Sequence, residues 1–183
     1  MYGMVNEAVR GLVIENFGED TWTQIHSKAG TPKLFVPMES YDDAITYNLV
    51  GAATEVLGLE AEVILKTFGL YWVESVATKH YADMMNQTGV SFYEFLNNLD
   101  SMHQRMKSTF PDYQPPSFRV LKKGPQLLQV DYYSKREGLL PFVEGLLSGL
   151  SKHFDEPIEI KHVPDDAHPL PCKRMLIELT REV

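Results

Sequence analysis

Up to about residue 110, apolar side chains recur every three or four positions, the period of helices with one buried face. Beyond the Pro111 to Pro116 stretch they alternate in short runs, the period of strands. The spacing predicts a helix over about residues 4–17, with Val5, Ala8, Val9 and Leu12 inward and Gly18 as its stop. A short helix over 21–29 ends at Gly30, and Ser40-Tyr-Asp-Asp43 starts another that runs to about 56. The next, over about 61–78, carries Ile64, Leu65, Phe68, Tyr71 and Trp72 on one stripe. Ser91-Phe-Tyr-Glu94 is a capping box, in which the Ser91 oxygen accepts from the Glu94 N–H while the Glu94 side chain reaches back. It opens a helix over about 92–107.

After the prolines the pattern predicts strands over 117–122 and 126–136, then a helix over 138–153 with Leu139, Phe142, Val143, Leu146, Leu147 and Leu150 as its stripe. Pro141 is tolerated in its first turn, where N–H groups have no helical partner. Strands over 158–163 and 173–180 close the chain. The expected class is α+β: a helical part over about 1–110 and a ββαββ part over about 111–183, sharing one core in a single domain over 1–183.

Composition narrows the setting. At 183 residues the chain fits one domain and buries enough surface to fold without disulfides. Its single cysteine, Cys172, has no internal partner, which suits a reducing compartment. No apolar run approaches the ~20 residues of a membrane span, and no secretion signal opens the chain, so a cytoplasmic location is expected. Seventeen Lys and Arg against 25 Asp and Glu leave a charge of −8, which argues against nucleic acid as the partner. The stock of 8 Met, 9 Tyr, 9 Phe and 2 Trp is large and calls for a use.

Two features bear chemistry. On the capped helix, Phe92, Phe95, Leu96, Leu99, Met102, His103 and Met106 share one face, so His103 sits inside an apolar stripe. It is either a core histidine hydrogen-bonded to backbone or a metal ligand. One histidine among Met and Phe cannot hold zinc, which needs about four ligands, but it can supply an axial ligand to a haem, whose porphyrin provides the rest. The second feature is Tyr132-x-Ser134-x-Arg136. Strand alternation puts these three on the face of Leu128 and Val130, while Gln129, Asp131, Tyr133 and Lys135 face the solvent. A buried Arg demands an anion, either an internal Asp or Glu or a ligand carboxylate. Two hydroxyls and a guanidinium match the two propionates of haem. Together the features describe a b-type haem pocket. Covalent attachment is excluded, because the chain has no Cys-x-x-Cys-His.

The sequence resembles the haem nitric oxide/oxygen binding (H-NOX) family, related to the haem domain of soluble guanylate cyclase. The likeness runs through Met1-Tyr-Gly-Met-Val-Asn6, Gly18-Glu-Asp20, Leu49-Val-Gly-Ala-Ala53, Phe68-Gly-Leu-Tyr-Trp72, Asn98-Leu-Asp-Ser-Met-His103, Pro115-Pro116, Tyr132-x-Ser-x-Arg136 and Gly145-Leu-Leu-Ser-Gly149. The resemblance implies that His103 is the proximal iron ligand of haem b, that Tyr132, Ser134 and Arg136 hold the propionates, and that Pro116 presses on the porphyrin. It also implies an iron–His103 bond that weakens when nitric oxide binds, letting the haem relax and the helical part shift. Some members place a tyrosine on the helix after the Arg motif to donate to bound oxygen; here the matching position is Pro141 or Phe142. The expected distal wall of Val5, Trp72, Val76, Phe142 and Leu146 is largely apolar, with Tyr71 the one nearby hydroxyl. A nitric oxide sensor that excludes oxygen, with carbon monoxide as a further ligand, is the expectation. A stand-alone sensor of this family signals in trans to a histidine kinase or to a cyclic-di-GMP synthase or phosphodiesterase.

Other readings compete. A haem-free small-ligand or partner-binding module is one. A peroxidase-like haem enzyme is another, although no pattern proposes a distal His/Arg acid–base pair. Some family members carry a Cys/His zinc cluster where His162, His168 and Cys172 fall, but a single cysteine remains here. His26, His80 and His153 lie near predicted helix ends, and Asp165–Asp166 reads as turn chemistry.

Overall fold

The computed structural model describes residues 1–167 and 172–180. Helices α1 (Gly3–Phe17), α2 (Glu19–Ala29), α3 (Asp43–Leu57) and α4 (Ala61–Tyr71) come first. A π-helical turn, Trp72–Ala77, succeeds α4 directly and leads into α5 (Thr78–His80), α6 (Ala82–Thr88) and α7 (Phe92–Thr109). Strands β1 (Ser117–Lys122) and β2 (Leu127–Tyr133), helix α8 (Leu140–His153), and strands β3 (Ile158–Val163) and β4 (Lys173–Leu179) complete the order. The sheet runs β1-β2-β4-β3 and every neighbouring pair is antiparallel. Among the described residues, no helix is long and apolar enough to cross a membrane.

Local signals set the ends. Asp42 caps α3 by accepting from the Ala44 N–H at 2.8 Å, and Ser91 caps α7 by accepting from the Glu94 N–H at 3.2 Å. The Glu94 carboxylate reaches back to the Val90 N–H rather than to that of Ser91. Gly30 and Gly58 end α2 and α3 in the left-handed conformation that glycine adopts without steric cost.

The packing changes earlier than the secondary structure does. One apolar cluster joins α1 to α4 around Trp22, Ile25, Leu49 and Phe68. The other joins α6, α7, the sheet and α8 around Phe92, Leu96, Leu128, Val130, Leu147 and Met175. Helices α6 and α7 therefore pack with the strands that come after them in the chain.

Three expectations need correction. The helix predicted over 61–78 holds to Tyr71 and then widens, because apolar spacing alone does not distinguish i→i+4 from i→i+5 bonding. Helix α6 has no counterpart among the predicted elements; its seven residues give only two buried positions, Met85 and Thr88. The Gln129–Asp131 side of β2 is not solvated: Asp131 is 1% exposed, with the Arg174 guanidinium on its carboxylate at 2.6 and 2.9 Å and the Gln129 amide beside it. Alternation tells which side chains share a face, but not that a long Arg from the next strand covers it.

Candidate functional site

A cavity of about 280 Å³ lies where the two clusters meet, between α1, the π turn, α6, α7, the sheet and α8. His103, Pro116, Tyr132, Ser134, Arg136, Val5, Trp72, Phe142 and Leu146 all line it. Val76, expected on the same wall, packs instead against the α1–α4 cluster.

His103 comes from the buried face of α7 and is 8% exposed. Its Nδ1 lies 3.2 Å from the Pro116 carbonyl oxygen, which can only accept, so Nδ1 carries the proton. Nε2 is then the nitrogen with a free lone pair, and the ring is fixed from behind in the manner of metal-bound histidines. The rings of Tyr113 and Phe118 flank it at centroid distances of 6.0 and 6.3 Å. Burial lowers the His103 pKa below its ordinary value, against the opposing hydrogen bond to Pro116 and the charge of Asp100, so the neutral ring persists into mild acid.

Ser134 and Arg136 reach the cavity by a different route from the one strand alternation implied. Strand β2 ends at Tyr133, so both stand on the loop beyond it, where Ser134 is exposed and the Arg136 side chain is 21% exposed. The Ser134 hydroxyl accepts from the Arg136 N–H at 3.0 Å, which shapes that loop. The Arg136 guanidinium has an internal anion: Nε and Nη2 donate to Asp43 at 2.7 and 3.2 Å, and Nη1 donates to the Gln114 carbonyl at 2.6 Å. These three bonds leave two of its five N–H groups for a ligand. Asp43 also accepts from the Met1 ammonium at 2.7 Å. Partial burial pushes the Asp43 carboxyl up, but the bonds from Arg136 and Met1 outweigh it, and the group titrates below its ordinary value.

Sequence reasoning missed two polar residues here. Asp43 lies 93 positions from Arg136, and nothing local signals the pair. Tyr113, on the loop between α7 and β1, lines the cavity beside His103, and burial pushes its phenol up to about 12 despite the nearby Arg136 charge. It remains a donor across the physiological range.

The opposite wall is dry and tight. Helices α4 and α8 touch backbone to backbone: a Cβ on Gly69 would stand 2.2 Å from the Phe142 oxygen, and one on Gly145 2.1 Å from the Lys66 oxygen. Phe68 and Phe142 stack across the contact at 4.9 Å. The Tyr71 hydroxyl turns away to α1, where it lies against Gly11 and bonds Glu15, and Tyr71 does not line the cavity. Pro141 sits in the first turn of α8, and Phe142 presents only its ring.

The histidines outside the cavity do other work. His162 is 46% exposed and meets Glu144 of α8 at 2.9 Å, while Cys172 is buried beside Tyr133. His168 lies outside the described residues, and among those described no cluster of His, Cys, Asp and Glu suits a metal ion.

A sequence profile described as Haem-NO-binding matches residues 2–162. The chain belongs to the haem-NO-binding, or H-NOX, family. Among relatives, it is 25% identical over 180 residues to a soluble guanylate cyclase of Caenorhabditis elegans, gcy-31, covering 98% of this chain and 26% of that protein. It is 33% identical to the rat guanylate cyclase soluble subunit beta-2 over 93 residues, or 51% of this chain and 14% of that one. The H-NOX chain thus spans about a quarter or less of these relatives. Two solved H-NOX proteins share its fold. One, from S. oneidensis in the Fe(II)NO ligation state, superposes with a TM-score of 0.85 at 21% identity, over 99% of this chain and 100% of that one. The other, from K. algicida in the unliganded Fe(II) state, gives 0.83 at 18% identity, over 100% and 98%.

Proposed function

We propose that the protein is a haem-based sensor that takes nitric oxide at ferrous iron and excludes oxygen. His103 Nε2 is the iron ligand; Tyr132, Ser134 and Arg136, with Tyr113 beside them, receive the carboxylates of haem b; Val5, Trp72, Phe142 and Leu146 face the gas; and Pro116 bears on the macrocycle. The donor set supports this assignment. One imidazole is held by a carbonyl behind it within an apolar cavity, and hydroxyls and a guanidinium gather at one end. When bound, the ferrous haem supplies the coordination position for the gas. His103 is then the one covalent link from cofactor to α7, and α7 packs on β1, so a change at that link is delivered to a helix and through it to the sheet.

The gas preference rests on the wall of Trp72, Val73, Phe142, Val143 and Leu146, which offers no hydroxyl, amide or charge. Bound oxygen is polar and gains from a donor, whereas nitric oxide scarcely depends on one. The protein is itself no enzyme in this reading and passes its signal in trans, to a histidine kinase or a cyclic-di-GMP synthase or phosphodiesterase, from the cytoplasm.

Ferrous spectra test the proposal. We expect no oxygen complex under air, and shifted Soret bands under carbon monoxide and nitric oxide. Trp72→Phe removes the one indole N–H on the wall and should leave the air spectrum unchanged. His103→Gly should lose haem unless imidazole is added. A stable oxygen complex would sink the selectivity, and an unaltered iron spectrum in His103→Gly would sink the ligand assignment.

A further inference from the structure

Five of the eight methionines, Met4, Met38, Met84, Met102 and Met106, line a second pocket of about 270 Å³ beside the cavity. It lies between α1, the loop before α3, α6 and the C-terminal half of α7. Six of its lining residues, Met4, Tyr81, Met84, Met102, Met106 and Phe110, also line the cavity, so the two spaces are opposite sides of one wall. The pocket opens outward past Met38, which is 59% exposed, and past Arg105 and Thr109, also exposed. Most of the wall is thioether. Methionine has three rotatable side-chain bonds and a polarizable sulfur, so such a wall yields without disturbing any backbone. The hydrogen bond that crosses it is a weak one, from the Tyr81 hydroxyl to the Met4 sulfur at 3.6 Å. An apolar pocket of this kind takes an apolar guest more readily than water.

The α4–α8 side offers no such path. There Gly69 and Gly145 bring the backbones into contact and the Phe68–Phe142 stack fills the space beside them. Rotamer changes cannot open a contact made of main-chain atoms.

We propose that the methionine pocket is an antechamber for small apolar gases, through which diatomic ligands reach the cavity by displacing the Met84–Met102–Met106 wall. Met38 and Arg105 form its outer rim. The inference rests on the reading of the cavity as a porphyrin site, and its test separates the two. The protein is reconstituted with palladium protoporphyrin IX, and quenching of its phosphorescence by dissolved oxygen is measured. That readout reports gas reaching the cavity, independent of iron chemistry and of which porphyrin face the gas approaches. Met84→Trp, which plugs the wall, should slow quenching about ten-fold, equivalent to roughly 1.4 kcal/mol added to the access barrier. Met38→Trp lies at the exposed rim, where folding is not at risk, and should slow it about three-fold, roughly 0.65 kcal/mol by the same relation. Met84→Ala should speed it. Porphyrin bound with normal absorption but quenching unchanged in both tryptophan variants overturns the antechamber and leaves the cavity assignment standing. Failure of the wild-type protein to bind porphyrin overturns both.

Discussion

On the α4–α8 side of the cavity, main-chain atoms of two helices touch at Gly69 and Gly145; on the α6–α7 side, the boundary is made of methionine side chains. Both sides exclude water from the same space, yet one has no freedom to move and the other has little else. The difference teaches that apolar is too coarse a description of a pocket wall. What decides whether a wall is a fixed reference or a moving part is whether its contacts end in backbone or in rotatable bonds.

The largest effect that bears on this contrast is expected at Gly145. A Cβ there collides with a carbonyl oxygen, so Gly145→Val must push the two helices apart. It should lower stability by about 3 kcal/mol, read by urea unfolding. A loss below about 1 kcal/mol would show that the α4–α8 contact relaxes readily and would erase the contrast.

Asp43 ties the two regions together, since α3 belongs to the first cluster and Arg136 comes just after the sheet strand of the second. Asp43→Asn should cost about 1 kcal/mol at neutral pH, the scale of a partly exposed ion pair. The sign with pH is definite. The folded-state pKa is lowered, so the stabilisation is present above the unfolded value and disappears as pH falls through the folded one. The gap between wild type and variant should close below about pH 4; a gap that stays constant down to about pH 2 would mean the carboxylate charge does not matter.

The smallest effect is expected on the methionine side. Met106→Leu keeps volume and apolarity, and should change stability by less than about 1 kcal/mol in thermal unfolding. A cost rivalling that of Gly145→Val would mean this wall is packed as rigidly as the other.

What could be read from the sequence divides along the same physical lines. His103, its apolar helix face and the Ser91 cap were legible because neighbours within four residues define them. Strands β1 and β3 were legible to the residue, since turns bound them on both sides. The Arg136–Asp43 pair was not, because a bond across 93 positions leaves no periodic trace. Strand parity foresaw Tyr132 in the core and failed for Ser134 and Arg136, which arrive after the strand has ended. The burial of Asp131 depends on Arg174 of a strand that pairs only in the folded chain.

The π turn at Trp72–Ala77 sits between the two kinds of wall, and its consequence is mechanical. A turn bonded i→i+5 holds one residue more than α-helical bonding needs. Deleting that residue would restore the tighter winding and rotate the downstream helices by about 100°. With α4 clamped at Gly69, the rotation falls on α5 and α6, carrying Met84 and Met85 off their present bearing. The turn is a gear of one tooth: it meshes the immobile face to the mobile one, and it can be reset by chain length while every side chain keeps its identity.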